Sequence, residues 1–301
     1  MNNRLIGAGI GLAVITVLIF FIFGTKGGDK DKPLSGFKVV KELISQGKLE
    51  EAAERMDGIR DKDPDSGMLG VIYFELARSY EKERNIVKAR DIYALILNRY
   101  QDVENILEVQ EDLSRLNTEI LFSRIVTDED VLYEISPGDT LSKIAKRFGT
   151  TVDLIKASNS LKSDIIRPNS KLKVSRARYK ILVDKSQNLL TLLSSDNELV
   201  KVYQVSTGKN NTTPVGSFKI VEKIKDPPWH KDGKVIPPED PKNILGSRWL
   251  GISEPGYGIH GTKDPESVGQ HVTEGCIRML NSDVEELFTI VPRGTGVTIV
   301  D

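Results

Sequence analysis

The chain has 301 residues, of which 28% are charged and 39% hydrophobic, a globular composition that is long enough for two or more domains. Its net charge is −1 at pH 7 and no strongly basic domain is visible, which argues against a nucleic-acid partner. The one cysteine, Cys276, excludes an intrachain disulfide framework and leaves a single thiol.

The N-terminal segment is apolar. Residues 5–23 carry no charge and are flanked by Arg4 and Lys26, and their number suits a bilayer core of roughly 30 Å. We predict an uncleaved membrane anchor, with residues 1–33 forming the anchor and a polar tether. A cleaved signal peptide is the alternative, although no clear small-residue cleavage site follows the segment.

Residues 34–128 show apolar residues at helical spacing. Gly47, the cluster 63–65 and Asn85 break this pattern into short helices. A weak repeat relates Leu49, Ala52 and Ile59 to Ile86, Ala89 and Ile96, each 37 positions later. The repeat resembles tetratricopeptide helix pairs, whose period is slightly shorter. It predicts either a groove for a protein partner or a plain helical spacer.

Residues 129–175 follow the order strand, helix, helix, strand. The first strand is expected at 132–135 and the last at 172–174, and Asp139 or Thr140 can cap the first helix. This segment closely resembles a LysM module, and the matching residues are Tyr133, Ile135, Gly138, Asp139, Thr140, Leu141, Asn159 and Leu161. The family's closing Pro-Gly is Pro168-Asn169 here, and Asn still permits a left-handed turn.

The LysM resemblance implies binding of N-acetylglucosamine-containing glycans such as peptidoglycan. It places the glycan contacts on two loops, at Gly138, Asp139, Thr140 and Leu141 and at Ile165, Ile166 and Arg167. The alternative for the first loop is that its residues only shape a turn and cap a helix.

Residues 176–301 are rich in β-like runs, at 179–183, 189–194, 199–206 and 217–225. Hairpin turns are expected at 184–188 and 195–197. The segment 226–243 contains too many prolines for a central strand. We interpret it as either a flap over a site or a surface loop.

The stretch 259–279 holds Cys276 and two of the three histidines, His260 and His271. A thiol becomes an effective nucleophile when a neighbouring histidine takes its proton. Turn-forming residues between His260 and Cys276 could bring the two side chains together. On residue types alone a buried structural cysteine is as plausible as a catalytic one, and His230 and His271 are alternative bases.

This stretch resembles the active-site motif of the YkuD family of L,D-transpeptidases, which runs His-Gly-Thr, a spacer, then Ser/Thr-His-Gly-Cys and Arg. The matching residues are His260, Gly261, Thr262, Thr273, Gly275, Cys276, Ile277 and Arg278. Similar pieces at 206–208, 213–218, 245–250 and 291–295 extend the resemblance over about residues 179–301.

The resemblance implies acyl transfer between peptidoglycan stem peptides, with Cys276 as nucleophile and His260 as base. The Gly261 carbonyl would orient the imidazole, and backbone N–H groups around Gly275 and Cys276 would stabilise the oxyanion. Thr273 belongs to the same motif. No cofactor is expected, and the three histidines do not have the spacing of a metal site.

Glu274 departs from the family pattern because it stands where the family usually has histidine. An extended backbone at 274–278 would put Glu274, Cys276 and Arg278 on one face. The carboxylate should then disfavour the thiolate and Arg278 should offset it. We expect a modest loss of activity, with Arg278 either neutralising Glu274 or orienting a substrate carboxylate.

Together these patterns predict a multidomain protein with a transmembrane helix, an all-α helical-hairpin region (34–128), a βααβ LysM module (129–175) and a mainly-β catalytic domain (176–301). The expected function is cell-wall cross-linking in a bacterial envelope, with the catalytic domain outside the cytoplasm. The alternatives are a non-catalytic wall-binding scaffold, a carboxypeptidase with water as acceptor, and an anchoring enzyme that uses a protein lysine.

Overall fold

The computed structural model describes residues 31–301, with side chains described from residue 36 onward. The predicted membrane anchor at residues 5–23 therefore lies outside the described residues. Within residues 31–301, every helix is too short or too polar to span a bilayer.

Five helices form the N-terminal region: α1 (Asp31–Ser45), α2 (Leu49–Arg60), α3 (Leu69–Lys82), α4 (Ile86–Arg99) and α5 (Ile106–Phe122). The predicted helical region is confirmed, including the breaks at Gly47, 63–65 and Asn85. A further break between α4 and α5 was not predicted. Leu49 and Ile86 begin α2 and α4, so the repeat marks equivalent helices whose apolar faces share one core.

The next segment is built from β1 (Asp130–Glu134), α6 (Leu141–Phe148), α7 (Val152–Ser158) and β2 (Lys171–Ser175). Strands β1 and β2 pair antiparallel, which confirms the predicted βααβ order. Thr140 caps α6, since its Oγ1 accepts from the Lys143 N–H at 3.2 Å. Asn169 adopts φ 66°, the left-handed turn that the sequence allows.

The C-terminal region contains twelve strands and one α-helix. They are β3 (Tyr179–Asp184), β4 (Leu189–Ser194), β5 (Leu199–Gln204), β6 (Thr207–Gly208), β7 (Gly216–Lys225), β8 (Trp229–Lys231), β9 (Lys234–Ile236), β10 (Arg248–Ile252), β11 (Gly258–His260), β12 (His271–Thr273), β13 (Ile277–Arg278), α8 (Asn281–Ile290) and β14 (Gly296–Val300). The predicted strand 199–206 is shorter than expected because the chain leaves β5 after Gln204 and pairs again as β6.

Eight of these strands form one sheet in the order β13-β11-β10-β7-β14-β3-β4-β5. Two smaller pairs, β6 with β12 and β8 with β9, lie outside it. Helix α8 buries Val284, Leu287 and Phe288 in the core of this region. Strand β5 forms one edge of the sheet and packs against α5, whereas β13 forms the other edge, next to the stretch that contains Cys276.

Candidate active site

The predicted base lies on β11, and the predicted nucleophile directly precedes the adjacent strand β13. Strands β11 and β13 are parallel, with Ile259 opposite Ile277 and His260 opposite Arg278. Both isoleucine side chains are buried in the core. Because side chains alternate along a strand, His260, Arg278 and the preceding Cys276 share the other face. The Cys276 thiol lies beside the start of β11, the strand that ends at His260.

The imidazole of His260 is buried, with 2% of the residue exposed. Its Nδ1 lies 2.6 Å from the Gly261 carbonyl oxygen, and a proton on Nδ1 leaves a lone pair on Nε2. The indole of Trp249 stacks on the ring at 6.1 Å. Burial lowers the pKa of His260 to about 4, although hydrogen bonding to the carbonyl groups of Gly261 and Leu245 opposes this shift. The ring is therefore neutral at pH 7 and able to accept a proton.

The thiol of Cys276 lies 3.7 Å from the Gly256 carbonyl oxygen. Burial raises the pKa of this thiol, and the charge of Glu274 raises it further. A backbone hydrogen bond from Gly258 and the charge of Arg278 act in the opposite direction. The resting pair is consequently a neutral thiol and a neutral imidazole rather than a preformed ion pair.

The cysteine loop, residues 273–276, is held by Thr273. Its Oγ1 donates to the Cys276 carbonyl at 2.6 Å and accepts from the Gly275 N–H at 3.1 Å. Gly275 has φ +133°, and a Cβ there would lie 2.6 Å from the Tyr257 ring. Glycine is required by this backbone conformation and by the packing of Tyr257. The Gly275 N–H, which was an expected oxyanion donor, is already engaged.

Glu274 is exposed and pairs with Lys231 on β8, with 2.9 Å between Oε1 and Nζ. This hydrogen bond lowers the pKa of Glu274. Arg278 instead donates from Nη1 to Ser267 Oγ at 2.9 Å. The ion-pair partner of Glu274 is therefore Lys231 rather than Arg278, because the positive φ of Gly275 interrupts the extended run that was expected at 274–278.

The proline-rich segment 226–243 is fixed at both ends. The buried Asn243 donates from Nδ2 to the Pro227 carbonyl at 2.9 Å. Lys263 donates to the Asp240 carbonyl at 2.7 Å. At the hairpin formed by β8 and β9, Lys231 reaches the cysteine loop through Glu274. The segment thus contacts the cysteine loop through one ion pair, and the flap interpretation stays a prediction.

Asn281, at the start of α8, ties together the loops behind the histidine. Its Oδ1 accepts from the Ser247 and Thr262 N–H groups at 3.1 and 3.0 Å, and its Nδ2 donates to the Thr262 carbonyl at 2.8 Å. A Cβ at Gly261 would lie 2.1 Å from Asn281 Oδ1. Asn281 therefore fixes the peptide that holds His260, a role that the sequence analysis missed. Its only sequence signal is an asparagine directly before a helical pattern.

The two alternative bases have other surroundings. His271 contacts Thr207 Oγ1 through Nδ1 at 2.9 Å and Asn188 Nδ2 through Nε2 at 3.2 Å. Both ring nitrogens are thus engaged, Nδ1 with β6 and Nε2 with the turn between β3 and β4. His230 is exposed on β8. Neither residue has the buried, carbonyl-oriented arrangement of His260.

Comparison with known proteins agrees with this geometry. Residues 178–299 match the YkuD family, described as the L,D-transpeptidase catalytic domain, and residues 133–175 match the LysM domain. A Bacillus licheniformis protein that bears the name L,D-transpeptidase YkuD is 37% identical over 177 residues, which are 56% of this chain and 98% of that protein. The chain belongs to the YkuD family of L,D-transpeptidases. The LysM and catalytic domains together imply that this L,D-transpeptidase binds peptidoglycan and has an envelope location.

Two further proteins are similar to shorter stretches of this L,D-transpeptidase. The Bacillus subtilis protein named L,D-transpeptidase YqjB is 43% identical over 127 residues, which are 40% of this chain and 70% of that protein. The solved catalytic domain of an E. faecium L,D-transpeptidase is 27% identical, with a TM-score of 0.34, and the similarity covers 40% of this chain and 96% of that one.

The two LysM loops of the L,D-transpeptidase differ in how far their residues are exposed to solvent. Gly138, Thr140 and Arg167 are exposed, and Ile165 is 80% exposed. Ile165, Ile166 and Arg167 line a cleft of about 440 Å³. Leu141 is 2% exposed and packs in the module's core. Asp139 accepts from the Ser136 N–H at 2.8 Å. The second loop therefore offers the more open surface for a glycan, whereas Asp139 and Leu141 serve the turn and the core.

Between residues 31 and 301, the L,D-transpeptidase has no cluster of three or more His, Cys, Asp or Glu side chains with the geometry of a metal site. The two reactive groups considered for its active site are the Cys276 thiol and the His260 imidazole.

Proposed function

We propose that this L,D-transpeptidase is membrane-anchored and forms a thioester between Cys276 and the tetrapeptide stems of peptidoglycan, which it transfers to an amine of a neighbouring stem. The observation that carries this proposal is that Cys276 directly precedes β13, next to the strand that carries His260, and that the His260 ring is held by the Gly261 carbonyl at 2.6 Å. The proposed units are the anchor and tether (1–33), the helical region (34–128), the LysM module (129–175) and the catalytic domain (176–301).

In the acylation step, Cys276 Sγ attacks the carbonyl between the third stem residue and the terminal D-Ala. Since the resting thiol and imidazole are both neutral, His260 Nε2 accepts the thiol proton during the attack. The imidazolium then gives this proton to the leaving amine of D-Ala, and a thioester remains.

In the transfer step, the acceptor amine attacks the thioester carbonyl. His260 removes a proton from the attacking amine and returns it to the sulfur as the C–S bond breaks. The product is a new amide cross-link, and the thiol and neutral imidazole are restored. Water in place of the amine would yield a shortened stem and no cross-link.

The oxyanion that forms in both steps needs backbone donors. The Gly275 N–H is engaged with Thr273, so we assign this role to the Cys276 N–H. One such donor contributes about 3 to 4 kcal/mol in comparable sites. Arg278 is assigned to a substrate carboxylate. In support, its buried Nε has no hydrogen-bond acceptor among the described residues.

The membrane anchor at 5–23 and the partner of the helical region remain proposals. The substrate lies outside the cytoplasm, which requires the catalytic domain to lie there too. A protein partner would bind the helices α1 to α4, because α5 is occupied by its contact with β5. Deleting residues 36–104 should abolish partner capture if that groove is used, whereas an unchanged pull-down profile would favour a spacer.

Mass spectrometry after incubation with a carbapenem tests the nucleophile. We expect a covalent adduct on the wild type and none on Cys276→Ala or on the folded His260→Gln variant. A folded wild type without an adduct would support the non-catalytic scaffold. Incubation with purified tetrapeptide-bearing wall fragments then identifies the acceptor. A cross-linked dimer with released D-Ala indicates transpeptidation, and shortened stems alone indicate a carboxypeptidase.

A further inference from the structure

The LysM module is fixed to the end of helix α5. Lys173 on β2 has a side chain that is 3% exposed. Its Nζ donates to the Ile120 and Ser123 carbonyls at 2.7 and 3.1 Å, at the C-terminal end of α5. The last carbonyls of a helix lack intrahelical donors and carry a partial negative charge, so a lysine is well suited to them. Asp130 lies 3.5 Å from the same Nζ and is also buried.

The other side of the LysM module is fixed to the catalytic domain. Thr151, at the start of α7, donates from Oγ1 to the Thr289 carbonyl near the end of α8. Asp153 pairs with Lys225 on β7 at 2.8 Å. Arg178 donates to the Phe148 carbonyl at 2.8 Å. The module is thus held on two sides by different elements.

The helical region and the catalytic domain also contact each other. Asn117 on α5 donates from Nδ2 to the Leu199 and Val200 carbonyls of β5 at 3.0 and 3.1 Å. Leu121 and Phe122 pack against the catalytic core. Each of the three units therefore touches both others, and the LysM module cannot swing without breaking a buried contact.

Helix α8 connects the LysM contact with the active site. Its first residue, Asn281, accepts a hydrogen bond from the Thr262 N–H behind His260. Near its end, the Thr289 carbonyl accepts the hydrogen bond from Thr151 Oγ1. Eight helical steps separate these residues, a distance of about 12 Å. The exposed loop around Ile165 takes no part in the contacts to α8 or β7. The glycan surface therefore stands at a set distance from the catalytic pair.

We propose that α8 is a spacer of fixed length, and that the docked LysM module selects stem peptides by their distance from the glycan it holds. This inference rests on the proposed function. A rigid connection that matches the span between two sites raises the effective concentration of the second site only for substrates of the right geometry. A glycan too short to reach from the LysM loops to Cys276 gains nothing, and longer glycans gain sharply once the span is met.

The test compares full-length wild type with an undocked variant that combines Lys173→Met, Asp130→Asn, Thr151→Val and Asp153→Ala, so that the contacts to α5, α8 and β7 are all removed. Lys173 and Asp130 are changed together because a buried charge must not be left unpaired. The matched control, Lys41→Met with Glu75→Gln, removes a lysine–carboxylate pair of 2.7 Å inside the helical region. The substrates are a free tetrapeptide and tetrapeptide-bearing glycans of graded length.

We expect wild type and control to show a stepwise rise in acylation rate with glycan length. The undocked variant should lose this step and react about tenfold more slowly on long glycans, while its tetrapeptide rate and its binding to intact wall stay within twofold of wild type. The same length dependence in the undocked variant would overturn the proposal. Failure of the wild type on free tetrapeptide would instead reject the proposed function.

A second variant guards against misfolding of the first. It combines Thr151→Val with Asp153→Ala, which release the module from α8 and β7, and it keeps the buried Lys173–Asp130 pair. It should show the same loss of the step, and a retained step would count against the spacer.

Discussion

The two edges of the eight-stranded sheet are stabilised in different ways. At the β5 edge, α5 covers the strand with apolar side chains such as Leu121 and with the two hydrogen bonds of Asn117. At the β13 edge, polar side chains hold the backbone. Thr273 fixes the cysteine loop, and Asn281 fixes the segment 260–262 that carries His260. The first edge contributes to stability and the second sets catalytic geometry.

The largest expected effect comes from Asn281. Asn281→Ala leaves the N–H groups of the buried Thr262 and the half-buried Ser247 without their acceptor and frees the peptide that orients His260. We expect about a hundredfold lower acylation rate, the size of effect that a displacement of about 1 Å can cause. Asn281→Asp keeps both acceptor bonds and should recover part of the rate. Equal rates for wild type and alanine variant, measured by carbapenem acylation, would contradict the assigned role.

The pH dependence of acylation tests the neutral resting pair. The pKa of His260 is about 4 and the pKa of the Cys276 thiol is raised. The base must be unprotonated, so activity should persist from pH 7 to pH 5 and fall as pH drops through about 4. Stopped-flow measurement of the acylation rate between pH 3.5 and 9 shows at which pH the activity falls. A fall already near pH 6.5, the ordinary value for histidine, would show that His260 is not held as described.

The β5 edge should respond in the opposite way. Asn117→Ala removes two hydrogen bonds to β5 and should lower the free energy of unfolding by about 1 to 2 kcal/mol. The rate on free tetrapeptide should stay within twofold of wild type. Urea denaturation and tetrapeptide assays measure the two quantities. A large loss of activity without loss of stability would contradict the assignment of the β5 edge to stability and the β13 edge to catalytic geometry.

The smallest effect is expected at Glu274. Glu274→His removes a charge that raises the pKa of Cys276, and also removes the exposed ion pair with Lys231, which contributes little. We expect an acylation rate raised up to about threefold at pH 7, a small change in barrier. Glu274→Gln separates the charge from the imidazole. An unchanged rate in both variants would show that this departure from the family pattern is neutral.

Local signals were sufficient for much of the fold. Hydrophobic periodicity predicted the helical region, the βααβ module and four strands between Tyr179 and Lys225, because each is specified by neighbouring residues. Thr140 as a cap and Asn169 as a left-handed turn follow from residue chemistry alone. The family motif indicated Cys276, His260 and the Gly261 carbonyl. The structure shows the contact between His260 and the Gly261 carbonyl, and the catalytic roles stay a prediction.

Contacts between distant segments could not be predicted. Lys231 reaches Glu274 across 43 positions, and no periodic pattern indicates such a pair. An extended backbone through Gly275 would have made Arg278 a partner of Glu274, which was one of the two roles expected for Arg278. The docking of Lys173 onto α5 likewise depends on tertiary packing, since a lysine in a short strand ordinarily faces solvent.

The solitary thiol has a practical and a chemical consequence. Because Cys276 is the one cysteine of the 301 residues, any thiol-specific label that reacts with the chain reports directly on its reactive centre. The number of labelled chains in a preparation therefore counts the accessible centres. Oxidative coupling of two chains would have to join them through these same sulfurs, so such a dimer would be inactive until it is reduced.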